Sequence, residues 1–205
     1  MAGSRSRQSS SGGPFPGTPD GFDVPEDPQS LDAEPDPFSV AQAIVYRQLT
    51  AAPKSRLQLA RKLAERNIPE HVAEAVLDKF QDVRLINDAE FADMWVRSRS
   101  QSRKLAKGAL RRELAEKGID QETAASALEQ LSDDDEEAAA RALVERKLRP
   151  GTDVSGPGER DKAVRRLASM LARKGYQPSQ AFRIVNEVLD ARQEPDDGAV
   201  QSRYP

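Results

Sequence analysis

The side chains of this chain that could do chemistry are mostly cations. Between residues 97 and 117 stand Arg97, Arg99, Arg103, Lys104, Lys107, Arg111, Arg112 and Lys117, opposed only by Glu113 and Glu116, a local charge of +6. Lys104, Lys107 and Arg111 have the spacing of one helical stripe, provided their helix starts early. A second group, Lys162, Arg165, Arg166 and Arg173 with Lys174 beside it, has a similar pattern. Two such stripes on stacked units would make a continuous basic track for phosphates or for an acidic protein surface. The plainer alternative is a pair of solvated helix faces. Arg97 stands four residues after Asp93 and so has a local ion pair available to it. Arg99 continues the Ala92, Trp95, Val96 face, where its stem packs and its guanidinium reaches outward. The periodicity makes Trp95 a core residue rather than a base-stacking platform.

Other chemistries find little support. His71 is the single histidine and there is no cysteine, so a histidine-based triad, a thiolate metal site and a disulfide scaffold all fall away. The run Asp133-Asp-Asp-Glu-Glu137 lacks the alternation and the glycine of a calcium loop, and reads as a dipole-stabilised helix start after Ser132. Gly151, Gly156 and Gly158 lack the Gly-Lys-Ser/Thr ending of a phosphate loop. No apolar run approaches a membrane span, and the N-terminus has no apolar signal core, so the expectation is a cytoplasmic protein without cofactor or catalytic residues.

These cations must be positioned by helices. The chain of 205 residues is 37% hydrophobic, 5% aromatic and 32% charged, the composition of packed helices. An internal repeat organises it. Leu59, Leu63, Asn67 and Ile68 recur as Leu110, Leu114, Gly118 and Ile119, and again as Leu167, Leu171, Gly175 and Tyr176. Ala73, Val76, Leu77 and Phe80 recur as Ala124, Ala127, Leu128 and Leu131, and as Ala181, Ile184, Val185 and Val188. Each set is the apolar face of one helix. Between the two helices, Asn or Gly followed by an apolar residue, with a leucine five positions earlier, is the pattern of a Schellman ending. Pro69 and Pro178 then open the next helix.

A further helix precedes each pair, with start signals at Asn87/Glu90 and Ser55/Gln58. The reading is all-α, with three tandem three-helix repeats at 38–86, 87–131 and 132–190, the last containing an inserted loop at 149–158. Each unit is too small to bury its face alone, so neighbours should stack into an elongated, curved array. Residues 1–37 hold five Gly, seven Pro and a net charge of −5, and read as a disordered acidic tail. Residues 191–205 read likewise, with a net charge of −1. The body between them carries +3, although the whole chain is at −3.

The stretch Asn87-Asp-Ala-Glu-Phe-Ala-Asp-Met-Trp-Val-Arg-Ser-Arg99, with Leu110-Arg-Arg-Glu-Leu-Ala-Glu-Lys-Gly-Ile119, resembles the RecX family. The resemblance spans about 38–190 and includes the closing Ala-Arg-Lys-Gly-Tyr176. It differs at Trp95, where the family often has Tyr, and at Gly108-Ala109, where it often has basic residues. The resemblance implies a monomeric, non-enzymatic regulator that lies in the groove of the RecA–DNA filament. It implies inhibition of strand exchange, ATP hydrolysis and co-protease activity, and hence a role in recombination, repair and the SOS response. The candidate contact residues are Arg97, Arg103, Lys104, Lys107, Arg111, Arg112, Lys162, Arg165, Arg166, Arg173 and Lys174. The competing reading is an autonomous helical DNA-binding protein, which the threefold repeat disfavours.

Overall fold

The computed structural model describes residues 36–148 and 156–193. Of the tails 1–37 and 191–205 expected to be disordered, 1–35 and 194–205 lie outside them, as does most of the inserted loop, whereas 36–37 and 191–193 are described and lie at the start of α1 and in the last turn of α9. Among the described residues there are nine helices and no strand: α1 Pro37–Ala51, α2 Arg56–Ala64, α3 Glu70–Asp82, α4 Asp88–Arg103, α5 Lys107–Glu116, α6 Gln121–Leu128, α7 Asp133–Lys147, α8 Pro157–Arg173 and α9 Pro178–Gln193. Three boundaries differ from the sequence reading. Asp36 caps α1 through the Phe38 and Ser39 amides, which starts the first repeat at Pro37. Pro157 at the first helical position makes 157–158 part of α8 rather than of the loop. Helix α9 runs on to Gln193.

The helix ends follow from local chemistry. Ser55 and Gln58 form a complete reciprocal capping box, whereas Asn87 caps α4 by accepting from the Ala89 and Glu90 amides. Ser132 accepts from Asp135 N at 3.0 Å, and four acidic residues fill the first turn of α7. Helices α2, α5 and α8 end alike. Ile68, Ile119 and Tyr176 donate their amides to Leu63, Leu114 and Leu171, at 3.2, 3.1 and 3.2 Å. Between them Asn67, Gly118 and Gly175 take φ values of 56°, 80° and 91°.

In each repeat the third helix packs against both of the others. Leu59, Leu63, Val76 and Leu77 are buried in the first repeat, Val96, Leu110 and Leu114 in the second, and Leu167, Leu171, Ile184 and Val185 in the third. The apolar residues form three separate clusters, one per repeat, with Ala106 alone crossing into its neighbour's. Neighbouring repeats therefore do not share a core, as their size had suggested. Three mutually packed helices already enclose the apolar faces.

The repeats are joined by backbone polar groups. At the first joint the Ser55 hydroxyl donates to the carbonyl of Lys117 at 2.6 Å, and Arg56 N donates to Asp88 Oδ1 at 2.8 Å. At the second, Ala106 N donates to the carbonyl of Lys174 at 2.9 Å, and Lys107 N lies 3.4 Å from Glu136 Oε2. The carbonyl-rich end of α5 thus meets the amide-rich start of α2, and the end of α8 meets the start of α5. Opposite ends of helix dipoles face each other at both joints.

Candidate functional site

The joints decide where the cations stand. Helix α4 ends at Arg103, Lys104 takes a left-handed backbone with φ 52°, and α5 starts at Lys107. Helix α5 does not start early enough for Lys104 to share a stripe with Lys107 and Arg111. Ala106, buried and bonded to Lys174 of the next repeat, holds the connection extended. Lys107 is paired within the joint, its Nζ 2.6 Å from Asp133 Oδ1. The acidic first turn of α7 lies beside it. Burial raises the Glu136 carboxyl above its usual range, against the lowering influence of the Lys107 amide. Arg111 is exposed in the same depression as Asp133 and Asp134, and Arg112 is exposed beside it in sequence.

In the third repeat Lys162 pairs with Glu159 at 2.8 Å, and Arg165 lies 4.0 Å from Asp161, both on the surface of α8. Arg166 and Arg173 are exposed and make no ion pair among the described residues. Lys174 turns toward the second repeat, where its Nζ donates to the carbonyl of Arg103 at 2.6 Å. Burial lowers its pKa, and the nearby charges of Arg146, Arg103 and Lys147 lower it further. The structure thus gathers Arg103, Lys104 and Lys174 at the second joint, and adds Arg146 and Lys147 from the end of α7. The sequence reading did not single out those two. A basic pair in the last turn of a helix is already accounted for by the helix dipole.

Trp95 is enclosed by its own repeat. Its indole nitrogen donates to Glu113 at 2.8 Å and Phe91 stacks on it at 5.7 Å. The Arg99 guanidinium and the Lys117 ammonium lie 4.2 and 4.0 Å from the ring centroid. Arg97 forms no pair with Asp93 and is exposed. It lines a cleft of about 630 Å³ between α4 and α7, with Gln101 on its own helix, Lys104 just past that helix's end, Ala138, Ala139 and Ala142 opposite, and Tyr176 also lining it. Among the described residues no His, Cys, Asp and Glu group has a metal-holding arrangement, and no helix is long and apolar enough to cross a membrane.

Comparison with known proteins bears on this arrangement. The model of the first RecX three-helix domain matches residues 41–80, and that of the second matches 87–128. The chain is 48% identical over 155 residues to the regulatory protein RecX of Streptomyces coelicolor, covering 76% of this chain and 80% of that one. The chain belongs to the RecX family. It is also 45% identical over 172 residues to the regulatory protein RecX of Thermobifida fusca, covering 84% and 90% of the two chains. The crystal structure of RecX from Lactobacillus salivarius shares the fold at a TM-score of 0.63 and 21% identity, over 75% of this chain and 97% of that one. In this RecX-family chain the two matched domains correspond to the α1–α3 and α4–α6 bundles.

Proposed function

We propose that the chain is a non-enzymatic regulator that binds the RecA–DNA filament in its groove and inhibits the recombinase, ATPase and co-protease activities of RecA. On this reading it works as a cytoplasmic monomer that modulates recombination, repair and the SOS response. The observation that carries the reading is the 48% identity to a regulatory protein RecX over 80% of that protein's length. The exposed Arg97, Arg103, Lys104, Arg112, Arg166 and Arg173, which make no ion pair among the described residues, support it, because such cations remain available to a polyanionic partner.

The test compares co-sedimentation with RecA filaments on single-stranded DNA against retention on the same DNA without RecA, with RecA ATP hydrolysis followed in parallel. The expected result is capture by the filament at concentrations where naked DNA retains little, together with falling ATPase. Equal retention on naked DNA with unchanged ATPase would overturn the proposal in favour of autonomous DNA binding.

A further inference from the structure

The cleft between the second and third repeats ends in cations that neither repeat assembles alone. Arg97 and Gln101 line it on α4, and Lys104 lines it just past the end of that helix. On α7 the lining stripe of Asp135, Ala138, Ala139 and Ala142 continues at helical spacing to Arg146. Lys174 is fixed beside that end by its bond to the Arg103 carbonyl, and Arg146 and Lys147 are near enough to act on its charge. Arg103, Lys104, Arg146 and Lys147 are exposed and make no ion pair among the described residues. The acidic lining residues, Asp135 and Glu136, belong to the first turn of α7, at the far end of that helix from Arg146 and Lys147, although Glu136 lies on the Lys104 and Tyr176 side of the cleft.

We infer that this cationic end, built around Arg146, Lys147, Lys174, Arg103 and Lys104, holds the phosphodiester backbone of a single nucleic-acid strand running in the cleft. The inference rests on the proposed filament-binding role for its setting. A phosphate backbone needs fixed cations and no apolar anchor. A protein partner would need a bulky apolar or aromatic anchor at the centre of the contact. Of the exposed large apolar side chains, Tyr46, Val83, Leu85 and Phe182 lie on other segments, and Met94, although on α4, does not line the cleft. Small alanine side chains line the α7 side, leaving room for sugars and bases.

The test uses the full chain and a labelled oligothymidylate, with binding followed by fluorescence anisotropy across a salt series. Arg146→Gln with Lys147→Gln should keep helical content and weaken binding tenfold or more. The slope of log affinity against log salt should flatten by about 0.7 per lost phosphate contact. Arg146→Lys with Lys147→Arg retains both charges and should bind like the parent chain, which separates a charge effect from a folding effect. Arg47→Gln with Arg66→Gln, exposed on the first repeat and outside the cleft lining, should leave affinity and slope unchanged. Parent-like affinity and slope in the Arg146→Gln, Lys147→Gln variant would overturn the inference. So would loss of RecA ATPase inhibition with DNA affinity intact, which points to a protein contact and leaves the proposed function standing. Failure of the parent chain to affect RecA, with DNA binding sensitive to Arg146 and Lys147, would instead overturn the proposed function and retain the site.

Discussion

Gly175 and Ala109 approach so closely that a Cβ on Gly175 would lie 2.2 Å from the Ala109 nitrogen. The first joint has the same relationship, with a Cβ on Gly118 falling 2.5 Å from Leu57 Cβ. Glycine at these positions answers two demands, a left-handed backbone and contact with the preceding repeat. Asn67, in the equivalent position of the first repeat, follows no earlier repeat and meets only the backbone demand, which asparagine tolerates.

Gly118→Val and Gly175→Ala should therefore each destabilise the fold. The left-handed backbone costs on the order of 1–2 kcal/mol and the overpacked joint about 1–3 kcal/mol more. Asn67→Gly should be nearly neutral. Urea unfolding monitored by circular dichroism gives the comparison, and equal stability of all three variants would mean that the joints do not constrain those positions.

Ser55 is fully buried, and its hydroxyl serves both the α2 cap and the Lys117 carbonyl. Ser55→Ala should cost about 1–2 kcal/mol. Ser55→Thr should recover part of the loss, because the hydroxyl remains, and thermal melts of the two variants would show the difference.

The α7–α9 contact carries a network in which Arg183 bonds Glu137 and Glu187, and Arg141 joins Glu187. Hydrogen bonding to Arg183 holds Glu137 below its ordinary value of 4.5, and Arg141 then Arg183 do the same for Glu187. Because both folded-state values are depressed, their stabilisation is complete above about 4.5 and is lost as pH falls through the lowered values. Burial raises Asp88 and Glu136 instead, so their penalty grows as pH rises past their ordinary values. Glu137→Gln with Glu187→Gln should flatten the acid decline of the urea midpoint, and an unchanged decline would assign it to other carboxylates.

Lys107→Gln removes an ion pair whose acidic partner, Asp133, is 92% exposed, so it should cost well under about 1 kcal/mol. It should leave the salt dependence of filament binding unchanged, because this charge is already paired. A flatter slope in the co-sedimentation assay would return Lys107 to the contact surface.

The repeat periodicity, the Schellman endings and the caps at Ser55, Asn87 and Ser132 were legible because each depends on residues a few positions apart. The same local logic read Trp95 as part of the packed face of α4. The sequence alone did not reveal that the repeats close separate cores and meet through backbone groups, since carbonyl and amide pairing between distant helix ends leaves little trace in side-chain type. It placed Lys104 on a stripe with Lys107 because helical spacing assumes a continuous helix, which the extended Ala106 interrupts. It passed over Arg146 and Lys147 because their sequence neighbours show only a favourable helix end. Their nearness to Lys174 and Arg103 arises when two repeats are set against each other, a relation that only the tertiary structure contains.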